Sequence, residues 1–254
     1  MSDWNPTQYT KFERERTRPS QDLIRQLLYT PHTILDIGCG PGNSTAQLHQ
    51  TFPNAHIVGI DSSETMLEKA RLTHPALSFQ SCFVPDELDK LGKFDLVFSN
   101  ACLHWIPDHT RLLPSILAKS VQAGGCLAVQ MPMVQTAPFY RILGELIQEK
   151  RWEKLQAVQN FHNLSPDQTY DVLTNCAREV DMWETVYYHV VPDHRAVLEW
   201  YKGSGLRTYL DRLEDAERAD FLAELLSRVQ AAMPTAADNT VLLKMPRLFF
   251  IVYK

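Results

Sequence analysis

The residues best suited to chemistry form a glycine-rich loop, Asp36-Ile-Gly38-Cys-Gly40-Pro-Gly42-Asn43. An apolar run typical of a strand precedes the loop, and a segment with helical character follows it. Glycines at such a turn let the backbone fold tightly and approach a bound molecule closely. A dinucleotide-binding loop requires glycine or alanine at the sixth position, where this chain has Asn43. The pattern therefore predicts a ligand-binding loop of another kind.

An acidic residue, Asp61, ends the next predicted strand, 19 residues beyond Gly42. A carboxylate at that place can accept hydrogen bonds from both hydroxyls of a ribose. It can also cap the following helix, a role for which Ser62 and Ser63 compete. Together with the glycine loop, Asp61 predicts a site for a cofactor that contains a nucleoside.

The spacing D-x-G-x-G-x-G resembles the first motif of class I S-adenosylmethionine-dependent methyltransferases. The resemblance implies S-adenosyl-L-methionine as cofactor and S-adenosyl-L-homocysteine as its product. It places Asp36 and Asn43 near the amino-acid end of the cofactor and Met66 beside its adenosine. The complete set of cofactor-binding residues that we expect is Asp36, Gly38, Gly40, Gly42, Asn43, Asp61, Ser62, Met66 and Asn100.

The segment after the fourth predicted strand, Ser99 to Trp105, lies where such an enzyme holds the reacting methyl group. It lacks the N/D-P-P-Y/F sequence of nucleobase amino methyltransferases, and no cysteine follows a proline as in cytosine C5 enzymes. The formal net charge of −5 also disfavours nucleic acid as a substrate. His104 is either a general base or a polar residue at the pocket mouth, and Trp105 is a pocket wall or core residue.

The elements that position these residues alternate between strands and helices. Continuously apolar strands of this kind predict an α/β fold, a Rossmann-like parallel sheet with helices on both faces. Ligands then bind at the carboxyl ends of the strands, near the point where strand order reverses. The predicted strands are 33–37, 56–60, 77–80, 94–99 and 126–130, followed by β-rich segments at 185–191 and 248–253. The predicted helices begin at Ser20, at Asn43 or Ser44, after Asp61 and near Thr110, and helical patterns cover 136–178 and 194–233.

The 254 residues are expected to form one methyltransferase domain with seven strands. Its predicted parts are an N-terminal arm or lid at 1–19, a cofactor-binding core at 20–132, mainly helical cap segments at 133–184 and 192–245, and closing strands at 185–191 and 246–254. The five cysteines include no C-x-x-C pair, so neither a disulfide framework nor a metal site is expected. We found no signal peptide and no membrane-spanning run, and we expect a cytoplasmic monomer without membrane or nucleic-acid partners.

Blocks along nearly the whole chain resemble the trans-aconitate 2-methyltransferase family. This resemblance implies methyl transfer to one carboxylate of trans-aconitate, which gives a monomethyl ester. A carboxylate is already ionised at neutral pH, so no catalytic acid or base is expected. The blocks are Trp4-Asn-Pro6, Tyr9, Phe12, Glu15-Arg16, Arg18-Pro19, 36–45, 59–63, 105–109, 128–132, 187–189, 205–207 and 246–249.

A small anionic di- or tricarboxylate substrate requires local cations and hydrogen-bond donors, and arginine binds carboxylates through two parallel bonds. The substrate-binding residues that we expect are Tyr9, Arg16, Arg18, His104, Trp105, Tyr188, Arg207 and Arg247. One departure from the family pattern is Phe83, which stands where an acid that binds adenine is expected; backbone groups or Asp86 then take that role. Three alternatives remain: another small carboxylic acid, an acyl-carrier-bound malonyl group, or a cofactor-binding module without catalysis.

Overall fold

The computed structural model describes the backbone of residues 13–254 and the side chains from Thr17 onward. Tyr9 and the side chain of Arg16 lie outside the described part of the chain. Their proposed roles in substrate binding therefore stay predictions. Among the helices in residues 13–254, none has the length and apolar character needed to cross a bilayer.

Within residues 13–254, seven strands form one sheet in the order β3-β2-β1-β4-β5-β7-β6. Strands β1 to β5 run parallel, with β1 between β2 and β4. The predicted α/β fold with a seven-stranded sheet is thereby confirmed. The strands are β1 Thr33–Ile37, β2 His56–Asp61, β3 Ser78–Ser81, β4 Phe94–Asn100, β5 Val121–Pro132, β6 Glu179–Val191 and β7 Val241–Tyr253.

Strand β7 lies between β5 and β6, and the backbone hydrogen bonds give its direction. The N–H of Lys254 donates to the carbonyl of Gly125 at 3.0 Å, near the start of β5. The N–H of Arg178 donates to the carbonyl of Tyr253 at 2.9 Å, just before β6 begins. The end of β7 thus meets the start of both neighbours, so β7 runs antiparallel to them. The sheet is therefore mixed, and the expectation of a parallel sheet is correct only for β1 to β5.

The helices are α1 Glu13–Arg25, α2 Asn43–Thr51, α3 Glu64–Thr73, α4 His109–Ser120, α5 Pro138–Leu146, α6 Pro166–Thr174, α7 His194–Lys202, α8 Arg207–Leu210 and α9 Asp215–Ala232. Short 3₁₀ helices occur at Leu88–Lys90, Leu103–Trp105, Val134–Thr136 and Lys150–Leu155. The long helical pattern predicted over 194–233 is thus three separate helices.

Two predicted helix caps are wrong. Helix α1 begins at Glu13 and runs through Pro19, so Ser20 is an interior residue and not its cap. Helix α2 is capped by Gly42 in a left-handed conformation, and Asn43 is its first residue. Of the three candidate caps for α3, the structure selects Ser63, whose Oγ accepts a hydrogen bond from the backbone N–H of Met66 at 3.4 Å.

The described chain divides into two compact units. The first, called the sheet-containing unit, comprises the described residues up to Pro132, Phe161–Glu184 and Leu248–Lys254, and so holds β1 to β5 with the first part of β6 and the last part of β7. The second comprises Met133–Asn160 and Thr185–Arg247, with the rest of β6 and β7. The predicted cap segment 133–184 is therefore split, because its second half belongs with the sheet. Both closing strands also extend beyond the predicted 185–191 and 246–254, since β6 starts at Glu179 and β7 at Val241.

Burial of the central strands explains the continuous apolar runs of the sequence. Helices α1 and α2 pack together on one side of the sheet-containing unit, and α1 also packs against β5. Leu35, Val97 and Leu127 have no accessible surface in adjacent strands. Strands that are covered on both faces need apolar side chains at successive positions. This packing fixes the carboxyl ends of β1, β4 and β5 next to one another.

Candidate functional site

The glycine loop follows β1, the strand at which the order of the sheet reverses, because β2 lies on one side of β1 and β4 on the other. The backbone N–H groups of Gly38 and Cys39 both donate to the carbonyl of Ile60, at 2.8 and 3.0 Å. Gly38 has a φ of +73°, and a Cβ there would lie 2.2 Å from the side chain of Cys102. Gly40 also has a positive φ, +54°, yet a Cβ would meet no atom within 4 Å. Gly38 is thus required for close packing, whereas Gly40 faces open space.

Asp61 connects the glycine loop to the start of α3. Its Oδ2 accepts a hydrogen bond from the N–H of Gly40 at 2.9 Å, and its Oδ1 accepts one from the N–H of Ser63 at 2.9 Å. Each carboxylate oxygen has a second lone pair. The side chain is partly exposed. Asp61 can therefore hold the loop and still accept hydrogen bonds from a ligand.

Asp36 is completely buried at the carboxyl end of β1. Its Oδ2 accepts hydrogen bonds from the hydroxyls of Ser44 and Thr45, both at 2.7 Å. Its Oδ1 has no hydrogen-bond partner within the described residues. Burial raises the pKa of Asp36 from 3.8 to about 6, the two hydroxyls oppose that rise, and the charge of Asp61 adds a smaller increase. Asp36 is thus a buried carboxyl that a nearby cation would stabilise in its ionised form.

A pocket opens between the glycine loop, α1, α2 and the end of β4. Several side chains of its wall carry buried polar atoms that have no hydrogen-bond partner in the described part of the chain: Oγ of Ser20, Oε1 of Gln47 and Oδ1 of Asn100. Buried polar atoms are normally paired. The pocket is therefore built for a polar ligand. Among the residues whose side chains the structure describes, the lining includes no lysine, arginine or histidine; it consists of Thr17, Ser20, Gly38, Cys39, Gly40, Pro41, Asn43, Ser44, Gln47 and Asn100.

The chain turns sharply where β4 enters the pocket wall. Ala101 has a φ of +53°, and its N–H donates to the carbonyl of Gln130 on β5 at 2.9 Å. A non-glycine residue in this left-handed region costs roughly 1–2 kcal/mol. Backbone strain of this kind concentrates at functional sites. The turn leads directly into the 3₁₀ helix that carries His104 and Trp105.

His104 lies in an aromatic cluster of the sheet-containing unit. Only 4% of its surface is exposed, and its ring stacks on that of Phe161 with centroids 5.5 Å apart. Trp105 packs against the same Phe161 ring at 4.8 Å. The carbonyl of His104 accepts a hydrogen bond from the N–H of His162 at 3.0 Å. His104 is thus held firmly in place after β4.

Comparison with known proteins identifies the family. Residues 34–125 match a family model described as a methyltransferase domain. Over 258 residues the chain is 40% identical to trans-aconitate 2-methyltransferase of Rhodopseudomonas palustris, strain BisB18, with 100% of both chains covered. It is 41% identical over 255 residues to the enzyme of the same name from Methylobacterium nodulans, covering 99% of this chain and 98% of that one. The chain belongs to the trans-aconitate 2-methyltransferase family.

Solved structures of other methyltransferases share the fold. A putative methyltransferase of Bacillus halodurans aligns with a TM-score of 0.57 at 11% identity, covering 93% of this chain and 99% of that one. Phosphoethanolamine N-methyltransferase 2 of Haemonchus contortus, solved with S-adenosyl-L-methionine, aligns with a TM-score of 0.54 at 17% identity; the alignment covers 93% of this chain and 52% of that one. At such identities the likeness concerns the fold alone.

Most of the residues predicted to bind the cofactor come together in this member of the family. Gly38, Gly40, Asn43 and Asn100 line the pocket, and Asp36 adjoins it through Ser44. Asp61 is bonded to Gly40.

The other three predicted cofactor residues lie outside the pocket lining. A Cβ at Gly42 would meet His74 and Phe79 at 2.8 and 3.0 Å, so this glycine permits packing behind the loop. Met66 is buried in α3, and Ser62 is exposed.

Six further lining residues were not predicted from the sequence: Thr17, Ser20, Cys39, Pro41, Ser44 and Gln47. One signal was available, because Asn43 and Gln47 are spaced four residues apart and therefore share a face of α2.

The residues predicted to bind the substrate are distributed over both units. The side chain of Arg18 is 67% exposed, and its Nε lies 3.8 Å from Oδ2 of Asp22. In the second unit, Nε of Arg207 lies 3.7 Å from Oδ2 of Asp211, and Tyr188 is 59% exposed. Arg247, in that same unit, is 7% exposed. Burial raises the pKa of Tyr201, and the positive charge of Arg247 opposes part of that rise.

Proposed function

We propose that this chain transfers the methyl group of S-adenosyl-L-methionine to a carboxylate of trans-aconitate and so forms the monomethyl ester. The observation that carries this proposal is the 40% identity to a trans-aconitate 2-methyltransferase over 100% of both chains. An alignment that covers both chains completely includes the substrate-binding segments as well as the methyltransferase core. The polar pocket at the end of β1 and β4 supports it further.

The pocket residues fit this cofactor in both charge and hydrogen bonding. Three buried oxygens without a partner among the described residues, Oδ1 of Asp36, Oε1 of Gln47 and Oδ1 of Asn100, are all acceptors. An α-ammonium group has three N–H donors and a positive charge. Asp61 would accept the ribose hydroxyls while it still holds Gly40. When bound, S-adenosyl-L-methionine supplies a methyl group on a positively charged sulfur.

Two acidic side chains and no cationic one surround this site in the described chain, because Asp36 and Asp61 flank a lining without lysine, arginine or histidine. Such a field favours a cationic ligand. Asn43, Gly38, Gly40 and Asn100 would contact the cofactor directly. Gly42, Ser62 and Met66 are proposed to complete the site.

The residues act by positioning rather than by proton transfer. A carboxylic acid has a pKa near 4, so the acceptor is already a nucleophile at neutral pH. Methylation of its oxygen releases no proton, and no general base is needed. The chain contributes by aligning the two reactants and by excluding water from the site.

Acceptor recognition requires cationic groups, which are missing from the described part of the pocket lining. We assign this role to Arg16, Arg18, Arg207 and Arg247, with Tyr9, Tyr188, His104 and Trp105 as further contacts. Arg247 is the strongest of these assignments, because the residue is buried in the second unit, with 7% of its surface exposed. A buried arginine binds a planar carboxylate through two parallel hydrogen bonds. The enzyme is proposed to act as a cytoplasmic monomer, with a small anionic di- or tricarboxylate as its partner.

The test is incubation with S-adenosyl-L-methionine that carries a labelled methyl group, together with a panel of acids. The panel contains trans-aconitate, cis-aconitate, citrate, fumarate and a malonyl-loaded acyl carrier protein. We expect one labelled methyl group on trans-aconitate, identified by mass spectrometry, and a higher kcat/KM than for the other acids. Preference for another acceptor would refute trans-aconitate as the substrate. Cofactor binding without any labelled product would favour a non-catalytic binding module.

A further inference from the structure

Gln130 is a buried amide that the proposed mechanism has not used. It lies near the carboxyl end of β5 and has no accessible surface. Neither Nε2 nor Oε1 has a hydrogen-bond partner among the residues that the structure describes. Leaving a buried donor and a buried acceptor unpaired costs folding stability. Because buried polar groups are normally paired, an unpaired amide at the end of a central strand indicates that a bound molecule pairs with it.

The sheet register places this amide beside the pocket. Asn100 on β4 pairs with Gln130 on the parallel strand β5. Paired residues of neighbouring parallel strands project from the same face of the sheet. Asn100 lines the pocket, and Gln130 lies one strand further along, next to this pocket residue and just outside the lining itself. The backbone N–H of Ala101 donates a 2.9 Å hydrogen bond to the carbonyl of Gln130, which holds the ends of β4 and β5 in this register.

The chemistry of ester formation favours a neutral donor at this position. As the acceptor oxygen bonds to the methyl carbon, the carbon–sulfur bond breaks and its electron pair stays on sulfur. No proton moves, and the negative charge of the acceptor carboxylate disappears. A guanidinium on that carboxylate would stabilise the charged ground state more than the transition state and would slow the reaction. An amide N–H orients the carboxylate with a much smaller penalty of this kind.

We propose that Gln130 is the positioning residue for the reacting carboxylate: its Nε2 donates a hydrogen bond to the oxygen that is not methylated. This inference rests on the proposed function, because it requires an ionised acid as acceptor. It divides recognition of the acid into two parts. A neutral amide, that of Gln130, holds the carboxylate that reacts, and arginines bind the carboxylates that keep their charge.

The test compares Gln130→Met and Gln130→Glu with wild type, using Gln148→Met as the matched control on an exposed glutamine. Loss of a hydrogen bond to a charged group predicts a 10- to 100-fold rise in KM for trans-aconitate in Gln130→Met. The affinity for S-adenosyl-L-homocysteine, measured by calorimetry, should change less than twofold. The melting temperature should stay equal or rise, because a buried unpaired amide is removed. An unchanged KM would overturn the assignment, whatever happens to the melting temperature.

Gln130→Glu supplies a second readout that a purely structural role would not give. Ionised Glu repels the acceptor carboxylate, whereas protonated Glu again offers an O–H donor. The ratio of Gln130→Glu activity to wild-type activity should therefore rise as the pH falls from 8 to 6. A ratio that does not change with pH would contradict the proposal. If wild-type enzyme methylates no carboxylic acid, the proposed function fails and this assignment fails with it; wild-type turnover with an unaffected variant refutes the assignment alone.

Discussion

The backbone N–H of Gly40 donates a 2.9 Å hydrogen bond to Oδ2 of Asp61. This bond connects the loop after β1 with the end of β2, so one side chain fixes these two segments relative to each other. The same carboxylate accepts the N–H of Ser63, the cap of α3. Asp61 therefore shapes the loop before the cofactor arrives, in addition to any contact with a ribose.

Replacing Asp61 by alanine should weaken cofactor binding through both effects. We expect the dissociation constant of S-adenosyl-L-homocysteine, measured by calorimetry, to rise about 10- to 100-fold. Asp171→Ala removes an exposed carboxylate from α6 and serves as the control. An equal affinity in the Asp61 and Asp171 variants would show that Asp61 does not bind the ribose.

Adding a methyl group at Gly40 should block the pocket without disrupting the fold. Gly40 and Gly124 both have positive φ, and a Cβ at either meets no atom within 4 Å. Both alanine variants should lose roughly 1–2 kcal/mol of stability from the left-handed backbone. Only Gly40→Ala should also lose cofactor affinity, by about tenfold or more, because its Cβ enters the space where a ligand would approach the backbone. Equal affinity in both variants would place the cofactor elsewhere.

Cofactor affinity should depend on pH through Asp36. Its pKa of about 6 lies above the ordinary 3.8, so a large fraction is protonated below pH 6. Protonation removes the charge that attracts a cationic ammonium group, and affinity should fall by up to about tenfold per pH unit below 6. Calorimetric titration with S-adenosyl-L-homocysteine from pH 5 to pH 8 measures this dependence. The dependence should disappear in Asp36→Asn, and its persistence would assign it to another group.

The same residue should reduce the stability of the free protein at high pH. The folded state holds the proton of Asp36 up to about pH 6, whereas the unfolded chain releases it near pH 3.8. The cost is therefore absent well below pH 3.8, grows between the two values and is complete above pH 6. It amounts to about 3 kcal/mol at pH 8 and about half of that at pH 5. Asp36→Asn should thus unfold at higher urea concentration than wild type at pH 8, with a smaller difference at pH 5. A difference that does not grow with pH would contradict this account.

Arg247 should affect the acid and not the cofactor. Arg247→Met keeps much of the buried volume and removes the charge, and we expect KM for trans-aconitate to rise at least about tenfold. The affinity for S-adenosyl-L-homocysteine should remain within twofold. Arg195→Met, at an exposed position of α7, is the control. The reverse pattern, weaker cofactor binding with an unchanged KM, would remove Arg247 from the acceptor site.

Local sequence patterns predict the sheet and the glycine loop well. Strands such as β1 and β4 are continuous apolar runs because helices cover both faces of the sheet. The glycines of the loop are recognisable because few other residues tolerate the backbone angles found there, +73° at Gly38 and +54° at Gly40. These signals depend only on residues close together in the sequence, so they can be recognised without a structure.

Features that depend on distant contacts escaped the sequence analysis. Pro19 resembles a helix boundary, since proline lacks an N–H donor, yet α1 continues through it. Ser44 has the residue type of a helix cap, but its hydroxyl donates to Asp36, eight positions earlier. Gln47 and Gln130 are ordinary amides in the sequence. They stand out only because folding buries them with polar atoms that lack partners in the described residues.

The position of β7 between β5 and β6 has a consequence for how the chain reaches its native state. β5 ends at Pro132 and β7 begins at Val241, about a hundred residues further along the chain. One edge of β5 therefore has no pairing strand until that later segment has been synthesised. During synthesis the nascent polypeptide exposes that apolar edge until β7 is inserted. Contacts of such long sequence separation form slowly, and open strand edges promote aggregation. Yield in a bacterial host should accordingly depend on temperature and chaperone supply more than the stability of the finished fold suggests.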